Sequence, residues 1–505
     1  MLFNSYAFLV FFPVVVLVYM VCPRKKRYLW LLAASYFFYM GWNPVYALLI
    51  AASTAITYLS GRLLARIAAL PDGEITPARR AALKKYCVAG SFVLNLGILF
   101  FFKYFYFTLD NVNAVLGLLH IAPLITTLDV VLPVGISFYT FQALSYTVDV
   151  YRGEIAAEKN FFRYALFVSF FPQLVAGPIE RSKNLLTQVD RVEQLELWNY
   201  DRIVNGLILM LWGFFQKMVI ADKAALFVNT VFDQYWAHGT VELVLAAAGF
   251  AVQIYCDFGS YSAIAIGAAQ VMGFTLMENF DTPYFAVSIR DFWRRWHISL
   301  STWFRDYLYI PLGGSRKGKA RKYFNIMLTF LCSGLWHGAS WSFVVWGGLH
   351  GAYQVAADLI APGKKRLNAA LHTRTESLGY KLGQVFVTFV LVDIAWIFFR
   401  SATLRDALLY LYALFTRWNP GMLFSDELYT FGLSHPQAMV LMFSLAALLL
   451  VDLVKYCRHE RIDEFLSKQT LPFRWAVLFG LVLFIYLFGQ YGPAVDPQAF
   501  IYFQF

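Results

Sequence analysis

Two histidines, His337 and His350, stand in a run that is otherwise small, aromatic and apolar, CSGLWHGASWSFVVWGGLHG over residues 332–351. An imidazole with its ordinary pKa of about 6.5 takes up and returns protons near neutrality. Placed inside an apolar helix it is costly, and there it marks a site of binding or proton transfer by default. From Tyr323, which follows a basic run, to His337 is fourteen residues, or about 21 Å of helix at 1.5 Å per residue. A hydrocarbon core is about 30 Å thick, so a helix entering at Tyr323 carries His337 to the midplane or past it. The competing use of such a ring is structural, with a nitrogen bonded to a neighbouring carbonyl. His350, thirteen residues on and roughly opposite on an ideal helix, suits that use equally well.

A second candidate lies just upstream, in SIRDFWRRWHISLSTWFRDYLYIPLGG, residues 288–314. At about 100° per residue, Arg290, Arg294, His297, Ser301 and Arg305 share one narrow stripe of a helix. Phe292, Trp296, Trp303, Tyr307 and Ile310 gather on the other side. The spacing predicts one amphipathic helix along a membrane interface, apolar face down, ended by Pro311 and two glycines. The stripe serves either as an anchor on anionic lipid or as the anion-binding mouth for a phosphate-bearing cytosolic donor, contacted by Arg290, Arg294 and Arg305.

These segments need a membrane around them. The chain has 505 residues, 59% hydrophobic and 19% aromatic, with 14% charged against about 25% in a soluble domain. Mean hydropathy is +0.56. Each span must satisfy its own backbone hydrogen bonds, so the chain reads as an all-α integral membrane protein and one polytopic domain over residues 1–505. Apolar runs near 6–22, 28–41, 45–60, 86–102, 130–148, 161–178, 203–221, 241–256, 260–276, 324–360, 382–399, 437–454 and 473–489 supply the helices. Several fall short of the roughly 20 residues of a full span, which implies short re-entrant pieces.

Basic clusters at Arg62–Lys85, Arg316–Lys322, Lys364–Arg366 and Lys455–Arg474 mark cytosolic loops. The first apolar run carries its charge after it, at Arg24–Arg27, which reads as a retained helix with its N-terminus outside. The net charge of +11 follows the same rule and calls for no nucleic-acid partner. Five scattered cysteines suggest neither a disulfide framework nor a metal site. Within this plan 278–323 is a cytosolic interfacial helix and basic loop, 324–360 forms the core catalytic helices, and 490–505 is an extracytoplasmic tail.

Together the two stretches above resemble the membrane-bound O-acyltransferase (MBOAT) superfamily. LPVGISFYTFQALSYTVDVYRG (133–153 and its preceding leucine), FFPQLVAGPIER (170–181) and QIYCDFGSY (253–261) add matches in family order. The pattern is most similar to the bacterial branch of alginate O-acetyltransferase membrane subunits and D-alanine transfer proteins of teichoic acids. The resemblance implies a ring of helices around a central funnel, with His337 as the membrane-embedded family histidine and His297 at a second recurrent position. Trp336 and Ser301 stand beside these two as supporting residues. Asp257 receives no catalytic role from the resemblance, because Gly259-Ser260 and Ala263 depart from the family pattern around it.

The ending FIYFQF is similar to a terminal motif of the same branch, in which the residue matching Tyr502 is an acyl relay; as a bare pattern it also fits an aromatic interface belt. The implied chemistry is acyl transfer, acetyl by preference. The donor is a cytosolic thioester, acetyl-CoA or an acyl-carrier phosphopantetheine, and no bound cofactor is needed. His337 is the general base, Tyr502 the first acceptor, and His297 orients the donor or polarises its carbonyl. The onward partner is an extracytoplasmic acyltransferase that esterifies a polysaccharide, from a protein seated in the bacterial cytoplasmic membrane among its lipids. D-alanyl transfer to teichoic acid and a lipid-linked sugar flippase are the rival readings, the latter predicting repeat symmetry that the halves lack.

Overall fold

A computed structural model describes residues 1–71, 74–125, 128, 130–491 and 500–501. Helices dominate, and among the described residues seven are long and apolar enough to cross a membrane: Tyr46–Ala69, Pro77–Leu118, Tyr200–Asp233, Thr240–Val271, Leu378–Arg400, His435–Arg458 and Leu471–Phe488. The shorter apolar helix Tyr6–Val21 precedes them. The protein is an all-α integral membrane protein. Its chain forms two compact units, one of Met1–Leu207 with Ala265–Met277, the other of Ile208–Ile264 with Glu278–Phe505.

In the first unit local signals set the helix ends. Ser5 caps Tyr6–Val21 by accepting from the Phe8 amide. Thr76 caps the helix that Pro77 opens, and Asn160 accepts from the amides of Phe162 and Arg163. Gly135 and Gly153, both left-handed, bracket Ile136–Arg152. Buried side-chain hydrogen bonds then join the helices, as expected where lipid offers no hydrophobic drive for association. Ser53 donates to Asn95 Oδ1 at 2.6 Å, and Tyr164 donates to Thr57 Oγ1 at 2.7 Å. The loop holding Glu180 is fixed by the Met277 amide, which donates to its carboxylate at 2.6 Å.

The second unit holds both histidine segments. The apolar run 324–360 falls on two helices that form a hairpin, Gly318–His337 and Trp341–Ala370. Glycines bring its two backbones into contact: a Cβ on Gly334 would lie 2.2 Å from Phe343 O, and one on Gly347 would lie 2.2 Å from Phe330 O. Neither carbonyl can retreat without unwinding its helix. Gly347→Val should therefore lower stability by roughly 1–3 kcal/mol through overpacking. Thermal unfolding in detergent checks this, with Gly363→Val as the control, since a Cβ at Gly363 meets nothing within 4 Å.

Candidate active site

Asn279 is the point from which the site is built. Its Oδ1 accepts from the Ser299 amide at 3.3 Å and from Ser299 Oγ at 2.9 Å, and lies 3.2 Å from His297 Nδ1. Its backbone carbonyl accepts from the Ile298 amide at 3.0 Å, and its Nδ2 donates to Ser262 Oγ at 3.3 Å. An amide N–H only donates, so the Asn279 atom facing Ser299 is oxygen. His297 Nδ1 must then carry the ring proton, leaving Nε2 as the basic nitrogen.

These bonds replace the i to i−4 bonds that residues 298 and 299 would make in a continuous helix. The predicted single helix is accordingly broken into Ile289–Arg295 and Ile298–Phe304, followed by a π-turn at Arg305–Tyr309. At the break His297 takes the left-handed conformation, φ 45° and ψ 53°. The aromatic face does not lie on lipid either. Phe292, Trp296 and Trp303 are buried in protein, with Trp296 packed on Trp396 at 5.1 Å between ring centroids.

The break separates His297 from the arginines. Arg290, Arg294, Ser301 and Arg305 line one cavity of about 620 Å³, which Lys322 and Ser333 also line. His297 is fully buried behind it, its ring edge-on to Phe258 at 4.7 Å. Arg290 and Lys322 both pair with Asp358, the former at 2.6 Å, and Arg305 pairs with Asp306 at 2.8 Å. Among the described residues Arg294 forms no salt bridge, so it is the cavity cation with most charge left to offer.

His337 is the last residue of its helix and only 4% exposed. Trp336 and Trp346 each pack edge-on against it at 4.9 Å, Phe399 lies at 5.4 Å, and the His297 ring is 6.2 Å away. The structure thus brings together His337, His297 and Trp336. Ser333 lies one turn before His337 on the same face, so the cavity ends a helical turn short of the ring. His350 has the structural role. Its Nδ1 accepts from Trp293 Nε1 at 3.2 Å, with Trp346 between it and His337 at 5.1 Å.

Tyr502 lies outside the described residues. Sequence reasoning missed Asn279, Trp293, Asp358 and Ser333, whose roles come from distant partners. Lys322 was visible as part of the basic run. Asp257, left without a role, is buried and paired to Lys217 at 2.6 Å.

The described residues thus hold a cationic cavity and, a helical turn beyond Ser333 in its lining, a buried histidine pair. Residues 154–379 match the MBOAT, membrane-bound O-acyltransferase family. The probable alginate O-acetylase AlgI of Azotobacter vinelandii is 38% identical over 411 residues, 81% of this chain and 76% of that protein. The peptidoglycan O-acetyltransferase of Helicobacter pylori is 34% identical over 81% of this chain and 78% of its own length. The teichoic acid D-alanyltransferase of Bacillus subtilis is 26% identical over 46% and 60% respectively. The chain belongs to the membrane-bound O-acyltransferase family and is a multi-pass membrane acyltransferase.

Burial holds the His297 imidazole down to about 3, against about 6.5 in an unfolded chain. Between those values the unfolded state binds a proton that the folded state refuses. Stability from this site is complete above about pH 6.5 and lost as pH falls toward 3. His297→Asn, which tolerates the left-handed backbone and does not titrate, should lose less of its thermal midpoint in detergent than the wild type, or gain more, as pH falls from 7 to 5.

Proposed function

We propose that this acyltransferase carries an acyl group, acetyl by preference, from a cytosolic thioester to an extracytoplasmic polysaccharide through an acyl-tyrosine at Tyr502. The donor is acetyl-CoA or an acyl-carrier phosphopantetheine, whose phosphates meet Arg290, Arg294 and Arg305. The Tyr502 phenol oxygen attacks the thioester carbonyl and its proton passes to His337. Collapse of the tetrahedral intermediate expels the thiolate, which takes that proton back, and the tyrosyl ester remains. His297, neutral and with Nε2 basic, orients the donor or polarises its carbonyl. Trp336 keeps both rings in place, and Ser301 holds the helix break by donating to Trp296 O at 3.2 Å.

An aryl ester is activated relative to an alkyl ester, so onward transfer is downhill. The acceptor is a partner acyltransferase outside the membrane. In this reading the protein sits in the bacterial cytoplasmic membrane with its N-terminus and tail outside. The observation that carries the reading is the cationic cavity ending at Ser333, one turn from a His337 ring that faces His297. With His337 so enclosed, the acyl end reaches it only when the side chains between Ser333 and the ring give way. Identity to the two O-acetylating relatives, 38% and 34% against 26% for the D-alanyltransferase, supports acetyl as the group.

Purified protein incubated with radiolabelled acetyl-CoA should gain label on its C-terminal peptide. His337→Gln, inserted and folded, should lose about 100-fold or more of the rate, the usual contribution of a general base. Retained turnover would remove His337 from that role. Arg294→Gln should raise the donor KM about tenfold, the equivalent of roughly 1.4 kcal/mol, with kcat unchanged. A KM that stays put would move the donor phosphates elsewhere.

A further inference from the structure

A buried ion triad in the second unit has no part in the chemistry above. Lys217 Nζ lies 2.8 Å from Asp222 Oδ1 and 2.6 Å from Asp257 Oδ1, with the three side chains 1%, 4% and 4% exposed. Lys217 and Asp257 each have bonding capacity left over. Lys217 spends two donors on the aspartates and turns its head to the Phe500 ring, 4.4 Å from the centroid. The second oxygen of Asp257 accepts from the Ile501 amide at 2.6 Å. Residues 500 and 501 therefore supply the partners the triad lacks, and both are buried, with Tyr261 edge-on to Phe500 at 5.1 Å.

The same turn holds the near end of the tail. Lys223 Nζ donates to Phe488 O at 2.9 Å, and the Gln490 amide donates to Met218 O at 2.8 Å. Residues 216–221 form a π-turn, a local irregularity frequent at functional sites. Segments on both sides of residues 492–499 are thus tied to one stretch, 217–223, and to Asp257 across from it.

The helix Thr240–Val271 links this anchor to the histidines. Asp257 and Tyr261, four residues apart, hold the tail, while Phe258 packs on His297 and Ser262 bonds Asn279. Those two pairs lie on neighbouring stripes of one helix, about 100° apart. Ile501 immediately precedes Tyr502 in the chain.

We propose that Lys217, Asp222 and Asp257 form a clamp that captures the Phe500–Ile501 peptide and sets where the tail is presented relative to the His297–His337 pair. Asp257 is a positioning residue, acting through the Ile501 amide. The clamp stands independently of the acyl-tyrosine reading; its catalytic consequence rests on that reading.

The test uses the full chain in lipid nanodiscs, with hydrogen exchange of the C-terminal peptide and carboxypeptidase trimming as readouts. Ile501→Pro removes the donated N–H and leaves the triad untouched. The combined Lys217→Met, Asp222→Leu, Asp257→Leu variant removes all three charges of the triad together, rather than stranding one of them. In both, exchange should accelerate at least tenfold and the tail should become trimmable while the helices stay folded. Transfer of label to Tyr502 should fall at least tenfold in kcat, with donor KM within twofold, because the cavity shares no residue with the clamp.

Wild-type exchange and protection in either folded variant would overturn the clamp. A released tail that is labelled at the wild-type rate would overturn its positioning role. A released tail in the variants, with no label on Tyr502 in the wild type, would support the clamp and sink the acyl-tyrosine reading instead.

Discussion

A bundle surrounded by lipid gives its interior polar groups no water to fall back on, and the site in this protein follows from how that demand is met at Asn279. One side-chain oxygen satisfies the Ser299 amide, the Ser299 hydroxyl and the His297 imidazole, while the backbone carbonyl takes the Ile298 amide. Once these are satisfied from outside the helix, the chain is free to turn through the left-handed region at His297. That turn separates a neutral, buried imidazole from four cationic or polar side chains that would otherwise share its face. The cationic cavity and the histidine pair exist as distinct places because of it.

The hairpin of Gly318–His337 and Trp341–Ala370 does the complementary work. Backbone contact at Gly334 and Gly347 lets Trp346 stand between His337 and His350. It also gives the two rings different fates. His350 accepts from an indole N–H and is locked in one tautomer, whereas Trp336, Trp346 and Phe399 pack edge-on around His337. Cationic residues gather below, at the level of Lys322 and Arg294, and Asp358 offsets part of their charge. Among the described residues Arg294 alone of the cavity arginines forms no salt bridge.

The ion triad illustrates why a buried charge cluster is retained at all. Breaking a buried pair by removing one partner costs roughly 3–5 kcal/mol, yet a whole cluster is often replaceable by apolar side chains without loss. Stability alone is thus a weak reason for Lys217, Asp222 and Asp257. An arrangement whose last bonds come from a particular peptide, at 500–501, gives specificity of position instead.

The helical membrane class and the approximate spans were legible in the sequence because each depends on local pattern: apolar run length and flanking basic residues. The gathering of Arg290, Arg294, Ser301 and Arg305 was legible too, since i and i+4 neighbours share a face even across short helices. The place of His297 was not. Its break is enforced by Asn279, eighteen residues away in sequence and unmarked by any pattern. More than one helix was read over 324–360, but the backbone contact at Gly334 and Gly347 was hidden because glycine reads as a weak helix residue until a second backbone is known to touch it. Asp257 had no assignable role until Lys217 and Ile501, 40 and 244 residues distant, arrived beside it. Periodicity and hydropathy are properties of neighbours along the chain, and they determined the class and the segments. Which polar atom satisfies which is settled only when distant segments meet, and that was left to the tertiary structure.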